Sequence, residues 1–108
     1  MLFRSDWERI AALYDALAQL APSPVVELNR AVAVAMAFGP AAGLEVVDAL
    51  RDEPTLQAYH LLPSVRGDLL AKLGRADEAR AELKHAAELT RNERERALLL
   101  ERAALLRP

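Results

Sequence analysis

Gly67-Asp68-Leu69-Leu70-Ala71-Lys72-Leu73-Gly74-Arg75-Ala76-Asp77-Glu78-Ala79-Arg80-Ala81-Glu82-Leu83-Lys84-His85-Ala86 is the stretch on which the fold turns. Gly74 divides it, because glycine adopts the left-handed conformation that ends a helix. Before Gly74, Gly67 and Leu70 fall at helical spacing; after it, Ala79, Leu83 and Ala86 do the same. The small residues Gly67, Ala79 and Ala86 let two helices approach closely, and Leu70 and Leu83 fill the gaps between them. The stretch therefore reads as a helix pair joined by a tight turn.

Working outward, the same grammar yields about six helices. Ser5-Asp6-Trp7-Glu8 has the pattern of a capping box, with Ser5 at the N-cap. The helix it opens places Trp7, Ile10, Ala11, Tyr14, Leu17 and Ala18 on one face. Pro22-Ser23-Pro24 ends it and starts a second helix, with Ser23 as N-cap and Pro24 in the first helical position. This second helix is apolar nearly all round and runs to about Phe38, which predicts burial between neighbours. Gly39-Pro40 breaks the chain before a third helix over about 41–51, and Pro54 starts a single further turn. A fourth helix has Pro63 in its first turn and ends at Leu73, and a fifth runs from about 75 to 89. Asn92 with Glu95 caps a sixth, reaching about Leu106.

Composition fits an all-α chain and narrows its chemistry. Alanine (22) and leucine (20) dominate the 108 residues, against 4 glycines, and both are strong helix formers. No cysteine is present, which excludes disulfides, thiolate metal sites and cysteine nucleophiles. Fourteen basic residues stand against 16 acidic ones, too even a balance for a phosphate-binding surface. The nearly uncharged run Ala31–Leu44 is shorter than the roughly 20 residues of a membrane-spanning helix. Met1-Leu2-Phe3-Arg4 meets Asp6 and Glu8 too early for a signal peptide. A cytoplasmic location follows as the expectation.

Gly39 and Gly74 lie 35 residues apart, each in a turn between two helices, and the small-and-large pattern around Gly74 resembles the tetratricopeptide repeat. Ile10, Tyr14, Leu17 and Pro22 fit the second helix of such a repeat, and counting on from Pro22 predicts a turn glycine at 39. The expected organisation is a single helical-repeat domain over 1–108. It comprises a half repeat (5–22), two repeats (23–56 and 57–91) and a capping helix (92–106), stacked as a short right-handed superhelix of antiparallel helix pairs. Beginning on a second helix leaves one face of helix 1 without a partner. On that reading residues 1–108 are part of a longer protein, and Phe3 and Trp7 meet either a missing repeat or a second copy in a homodimer. Helix 1 serving simply as an N-terminal cap is the other reading.

Several runs resemble one family: Asp6-Trp7 with Ile10-Ala11-Ala12-Leu13-Tyr14-Asp15-Ala16-Leu17, and Pro22-Ser23-Pro24-Val25-Val26 with Leu28-Asn29-Arg30-Ala31-Val32-Ala33-Val34-Ala35. Gly39-Pro40-Ala41-Ala42-Gly43-Leu44, Tyr59-His60, and Leu69-Leu70 with Leu73-Gly74-Arg75 and Glu78-Ala79 belong to the same likeness. The family is the bacterial extracytoplasmic-function sigma factors that carry a tetratricopeptide-like C-terminal extension, and the likeness covers residues 6–106. The resemblance implies an accessory domain that regulates sigma activity through contacts with the upstream sigma domains, RNA polymerase or a regulator. The polymerase- and promoter-binding sigma domains themselves are missing from these residues, so no direct contact with nucleic acid is expected of them. A scaffold that binds a partner peptide or helix, unconnected with transcription, is the alternative.

No residues point to an enzyme, a metal or a cofactor. His60 and His85 lie 25 residues apart with no carboxylate pattern around them. Ser5, Ser23 and Ser64 have capping explanations and no nucleophile-elbow context. The notable polar pair is Asn29-Arg30, which interrupts the apolar second helix. Either Asn29 bonds a neighbouring turn while Arg30 pairs with a carboxylate, or Asn29 lies on the concave face of the superhelix with Ala33 and Met36. Asp68 and Lys72 take the equivalent concave positions on the fourth helix, and such grooves bind peptides or partner helices. On helix 6, Arg94, Arg102 and Arg107 interleave with Glu93, Glu95 and Glu101, as a solvated salt-bridged face or a binding patch.

Overall fold

Residues 2–106 are described by a computed structural model. Among them the elements run α1 (Arg4–Leu20), α2 (Pro24–Phe38), α3 (Pro40–Asp48), a 3-10 turn (Pro54–Leu56), α4 (Leu61–Lys72), α5 (Ala76–Leu89) and α6 (Glu93–Leu105). The described chain is all-α, with six helices and no strand, and within each of its compact units consecutive helices pack as antiparallel pairs. It divides into two compact units, one ending at Leu56 and the other beginning at Gln57. In the first, α2 packs against both α1 and α3; in the second, α5 packs against both α4 and α6. No described helix is long and apolar enough to cross a membrane.

Two helix ends differ from the sequence expectation. The first helix begins at Arg4, not after Ser5, and its cap is formed by Asp6, whose Oδ2 accepts the Phe3 backbone N–H at 3.1 Å. Glu8, the expected box carboxylate, pairs with Arg4 at 3.2 Å instead. The third helix stops at Asp48, short of 51. There Leu50 N–H bonds Val47 C=O at 2.9 Å and Arg51 N–H bonds Asp48 C=O at 3.3 Å, so the last turn tightens and closes.

The two turn glycines do different work. Gly74 (φ 78°) completes a Schellman motif: Arg75 N–H reaches Leu70 C=O at 2.9 Å and Gly74 N–H reaches Ala71 C=O at 3.1 Å. Gly39 has φ 103° and ψ 161°, a region open essentially to glycine alone. It is the single residue between α2 and α3. Its N–H bonds Ala35 C=O and its own C=O accepts from Gly43 N–H, so one residue caps both helices. Pro40 then supplies a first helical residue with no N–H to satisfy.

Close approach of the paired helices rests on two further glycines. A Cβ on Gly67 would stand 2.9 Å from Leu83 Cδ2 and 3.3 Å from Ala79 C=O, so α4 and α5 meet where the small-residue pattern put them. Leu70, Ala79, Leu83 and Ala86 are all buried along this seam. In the first unit Gly43 is tighter still: its Cβ would fall 2.5 Å from Ala35 Cβ and 2.9 Å from Ala31 C=O. Leu83 and Ala86, with Ala87, also form a core with Leu99 and Ala103 of α6.

Polar ties fix the second unit. Arg66, only 6% exposed, sits on α4 with Nη1 3.6 Å from Glu82 Oε1 of α5. Arg96 of α6 donates to the Ala87 and Thr90 carbonyls at 3.0 and 2.7 Å, which satisfies acceptors that the end of α5 leaves open. Asn92 Oδ1 accepts Glu95 N–H at 2.9 Å, the cap expected for α6.

Gly43→Ala drives a methyl group against Ala35 and the Ala31 carbonyl and is expected to cost about 1–3 kcal/mol, lowering Tm by roughly 5–15 °C. Gly74→Ala meets nothing within 4 Å and should cost only about 1 kcal/mol, for its positive φ. Thermal melts followed by circular dichroism check the order; equal losses at the two positions would contradict the close-approach account.

Candidate functional site

On α2, exposure selects a narrow stripe. Val25, Asn29, Val32 and Met36 are exposed at i, i+4, i+7 and i+11, so they share one face. Asn29 makes no hydrogen bond among the described residues, and Met36 is 46% exposed. Ala33, expected beside them, is 1% exposed. At about 100° per residue it lies some 70° round from the stripe, on the buried flank with Ala37. Val32 takes the surface position assigned to Ala33 from spacing. Arg30 pairs with Glu27 through two parallel bonds of 3.1 Å. This bonding to Glu27, against the opposing effect of burial, holds its pKa above the ordinary arginine value.

Helix α4 repeats the pattern. Leu61, Val65, Asp68 and Lys72 stand at the same i, i+4, i+7 and i+11 spacing, with Leu61 and Lys72 exposed and Val65 and Asp68 half-buried. The expected residues Asp68 and Lys72 therefore do share a face. Asp68, however, is engaged with Arg102 of α6. At the other end of α4, His60 Nε2 stands 2.6 Å from Glu95 Oε1, an oxygen closed off from solvent. The Tyr59 ring meets the His60 imidazole edge-on at 5.8 Å.

These two ties connect α4 to α6, and they are eight residues apart on the first helix and seven on the second. Both helices are antiparallel to α5, so they run in the same direction, and the near-equal spacing sets them side by side in register. The α6 stripe Arg94, Leu98, Glu101 and Leu105 is exposed. Leu98 is 52% exposed despite its position in a helix whose neighbouring Leu99 is buried. An open recess of about 460 Å³ lies where His60 meets Glu95, with Arg91 and Asn92 on its wall.

Of the interleaved charges expected on α6, Arg102 and Glu95 are committed to these ties and Glu93 to Arg96. Arg94 and Glu101 stand exposed, and Arg107 lies outside the described residues. His85 is exposed on α5. Among the described residues no three acidic or histidine side chains gather in a manner that could hold a metal ion.

On α1 the roles of the aromatic residues separate. Phe3 is 69% exposed, whereas Trp7 is partly covered, on the same side as the buried Ala11. The large apolar side chains α1 does expose are Leu13, Leu17 and Leu20, at i, i+4 and i+7. Ala12 and Ala16 are exposed along one side of this ridge.

An uncharacterized protein of Rhizobium meliloti (strain 1021) is 47% identical to this chain over 96 residues, which make up 89% of the chain and 22% of that protein. The chain thus spans about a fifth of the length of the curated relative it matches. No family model and no solved structure matches it.

Met36→Asp, on the exposed stripe, should leave stability within about 0.5 kcal/mol of the parent chain. Ala33→Asp places an unpaired carboxylate in a buried position and should cost several times more. Urea denaturation of the two variants checks the assignment; a tolerated Ala33→Asp would return Ala33 to the surface.

Proposed function

We propose that the chain is a non-enzymatic protein-interaction domain of the kind that extends extracytoplasmic-function sigma factors, acting on transcription initiation in the cytoplasm through contacts with sigma domains, RNA polymerase or a regulator. The observation that carries the interaction reading is the recurrence of stripes at i, i+4, i+7 and i+11, exposed on α2 and α6 and partly exposed on α4. Surface stripes of this kind, with valine, leucine and methionine in them, suit a partner segment laid along the helices. The link to sigma factors rests on the likeness of the Asp6–Leu17, Pro22–Ala35 and Gly39–Leu44 runs. A relative several times longer than the matched stretch is in keeping with a module that works beside other domains.

A pull-down of the full chain with core RNA polymerase, and separately with sigma-type polymerase- and promoter-binding domains, tests the proposal. Retention of either supports it. Failure to retain both sinks the sigma reading and leaves a scaffold unconnected with transcription.

Homodimerisation through the first helix is part of the same proposal, with its contact moved. Leu13, Leu17 and Leu20 present the apolar ridge, not Trp7, and Ala12 and Ala16 allow a second helix to approach. Leu13→Asp with Leu20→Asp is expected to shift the sedimentation of a concentrated sample towards the monomer. A parent chain that stays monomeric at high concentration removes the dimer.

A further inference from the structure

We infer that the α4–α6 face of the second unit is a docking surface for an acidic amphipathic segment, one with an apolar centre and carboxylates towards both ends. The inference deepens the proposed interaction role and rests on it. It needs only this unit, whose three helices pack on one another through α5.

The two ties make one surface of two helices. His60–Glu95 joins α4 to α6 at the start of α4 and Asp68–Arg102 joins them again eight residues on, one turn short of Lys72, so Leu61 and Val65 of the first helix lie on the same side as Leu98 of the second. Leu61 and Leu98 are exposed and Val65 is half-buried. The centre of the face is therefore apolar, and the polar groups that cross it, His60 beside Glu95 and Asp68 with Arg102, already face one another within the fold.

The charges at its ends are not matched. Arg94, beside the Leu61 end, and Arg91, in the turn before α6, have no carboxylate partner among the described residues. Lys72, at the opposite end of α4, has none either. Eleven residues separate Leu61 from Lys72, about 16 Å along a helix axis. On the two stripes themselves Lys72 and Arg94 stand against one unpaired carboxylate, Glu101. The whole chain carries a formal charge of -2, so this face is cationic on an otherwise acidic molecule. Such a field attracts an acidic partner and repels a basic one, while the apolar centre supplies the buried contact.

The internal ties also explain why the occupant's charges belong at its ends. A carboxylate brought to the middle would compete with Asp68 for Arg102, at the cost of a pair already made. Leucine-like side chains seated over Leu61, Val65 and Leu98 displace no ion pair.

Fluorescence anisotropy with a labelled synthetic peptide tests the inference on the full chain. The probe carries leucines at helical spacing with glutamates at both ends. Controls replace its glutamates by lysines, or its leucines by serines. The glutamate–leucine peptide should bind about tenfold tighter than the lysine control at low salt, with the gap closing as salt rises. Loss of the leucines should weaken binding as well. Lys72→Glu with Arg94→Glu should erase or invert the charge preference while the helical circular dichroism signal is kept. Equal binding of both charge types, preference for lysine, no binding at all, or a preference that survives the double variant would each overturn it. Peptide binding is read independently of the polymerase pull-down. A negative peptide result beside a positive pull-down defeats this inference alone, and the reverse pattern defeats only the sigma reading.

Discussion

At Gly43 an added Cβ would stand 2.5 Å from Ala35 Cβ, and at Gly67 it would stand 2.9 Å from Leu83 Cδ2. Those two distances set how near α3 comes to α2 and how near α4 comes to α5. Once the axes are that close, alanines at 31, 79 and 86 are fully covered, and single leucines suffice to fill what remains. The chain's excess of alanine follows from this geometry. A helix pair spaced by leucines on both sides would leave the same alanines facing voids, whose cost grows with their volume.

The polar groups of the second unit are arranged around that packing. Arg66 is carried into the α4–α5 seam and meets Glu82 there, while Arg96 closes the carbonyl end of α5 from the neighbouring helix. Because a buried charge or an open carbonyl is costly without a partner, each of these contacts limits the angle at which its helix can lie. The ties His60–Glu95 and Asp68–Arg102 act at the surface and contribute less individually. What they determine is which side chains of α4 and α6 end up on one face.

The proposed interaction role grows from the residues that packing does not use. α2 and α4 bury most of their surface and leave a stripe at i, i+4, i+7 and i+11, while α6, buried at Leu99 and Ala103, carries the same spacing on a broader exposed surface. The stripes differ in character: valine, asparagine and methionine on α2, and a mixture of leucine and charge on α4 and α6. A folded core can be assembled from alanine and leucine alone, so the character of these stripes is free to serve recognition. Cationic ends on the second unit give that recognition a sign.

Much of the fold was legible from local chemistry. Pro24 at the first helical position, Gly39 and Gly74 at positive φ, and Asn92 capping Glu95 are each decided within a few residues of chain. The Gly67–Ala86 seam was also readable, because residue size at helical spacing is a direct statement about approach distance. The cap of α1 was misplaced for a reason of the same local kind: Asp6 competes with Glu8 for the role, and Arg4 draws Glu8 away.

The stripes were only half readable. Asn29, Met36, Asp68 and Lys72 fall on them, yet Ala33 lies one step round the helix and is buried, and Val32 was passed over. Periodicity fixes which residues share a face, but a helix as apolar as α2 does not say which face stays outside; its neighbours in space decide that. Pairing is the other thing left to tertiary structure. Arg66 finds Glu82 across a turn, His60 finds Glu95 across 35 residues, and Asp68 is bound to Arg102. Charge pairing of this kind depends on where long side chains end after the helices have packed. The sequence by itself therefore determined the helices, their turns and their closeness; only the packed structure decided which surface remained and which of its charges were still unmatched.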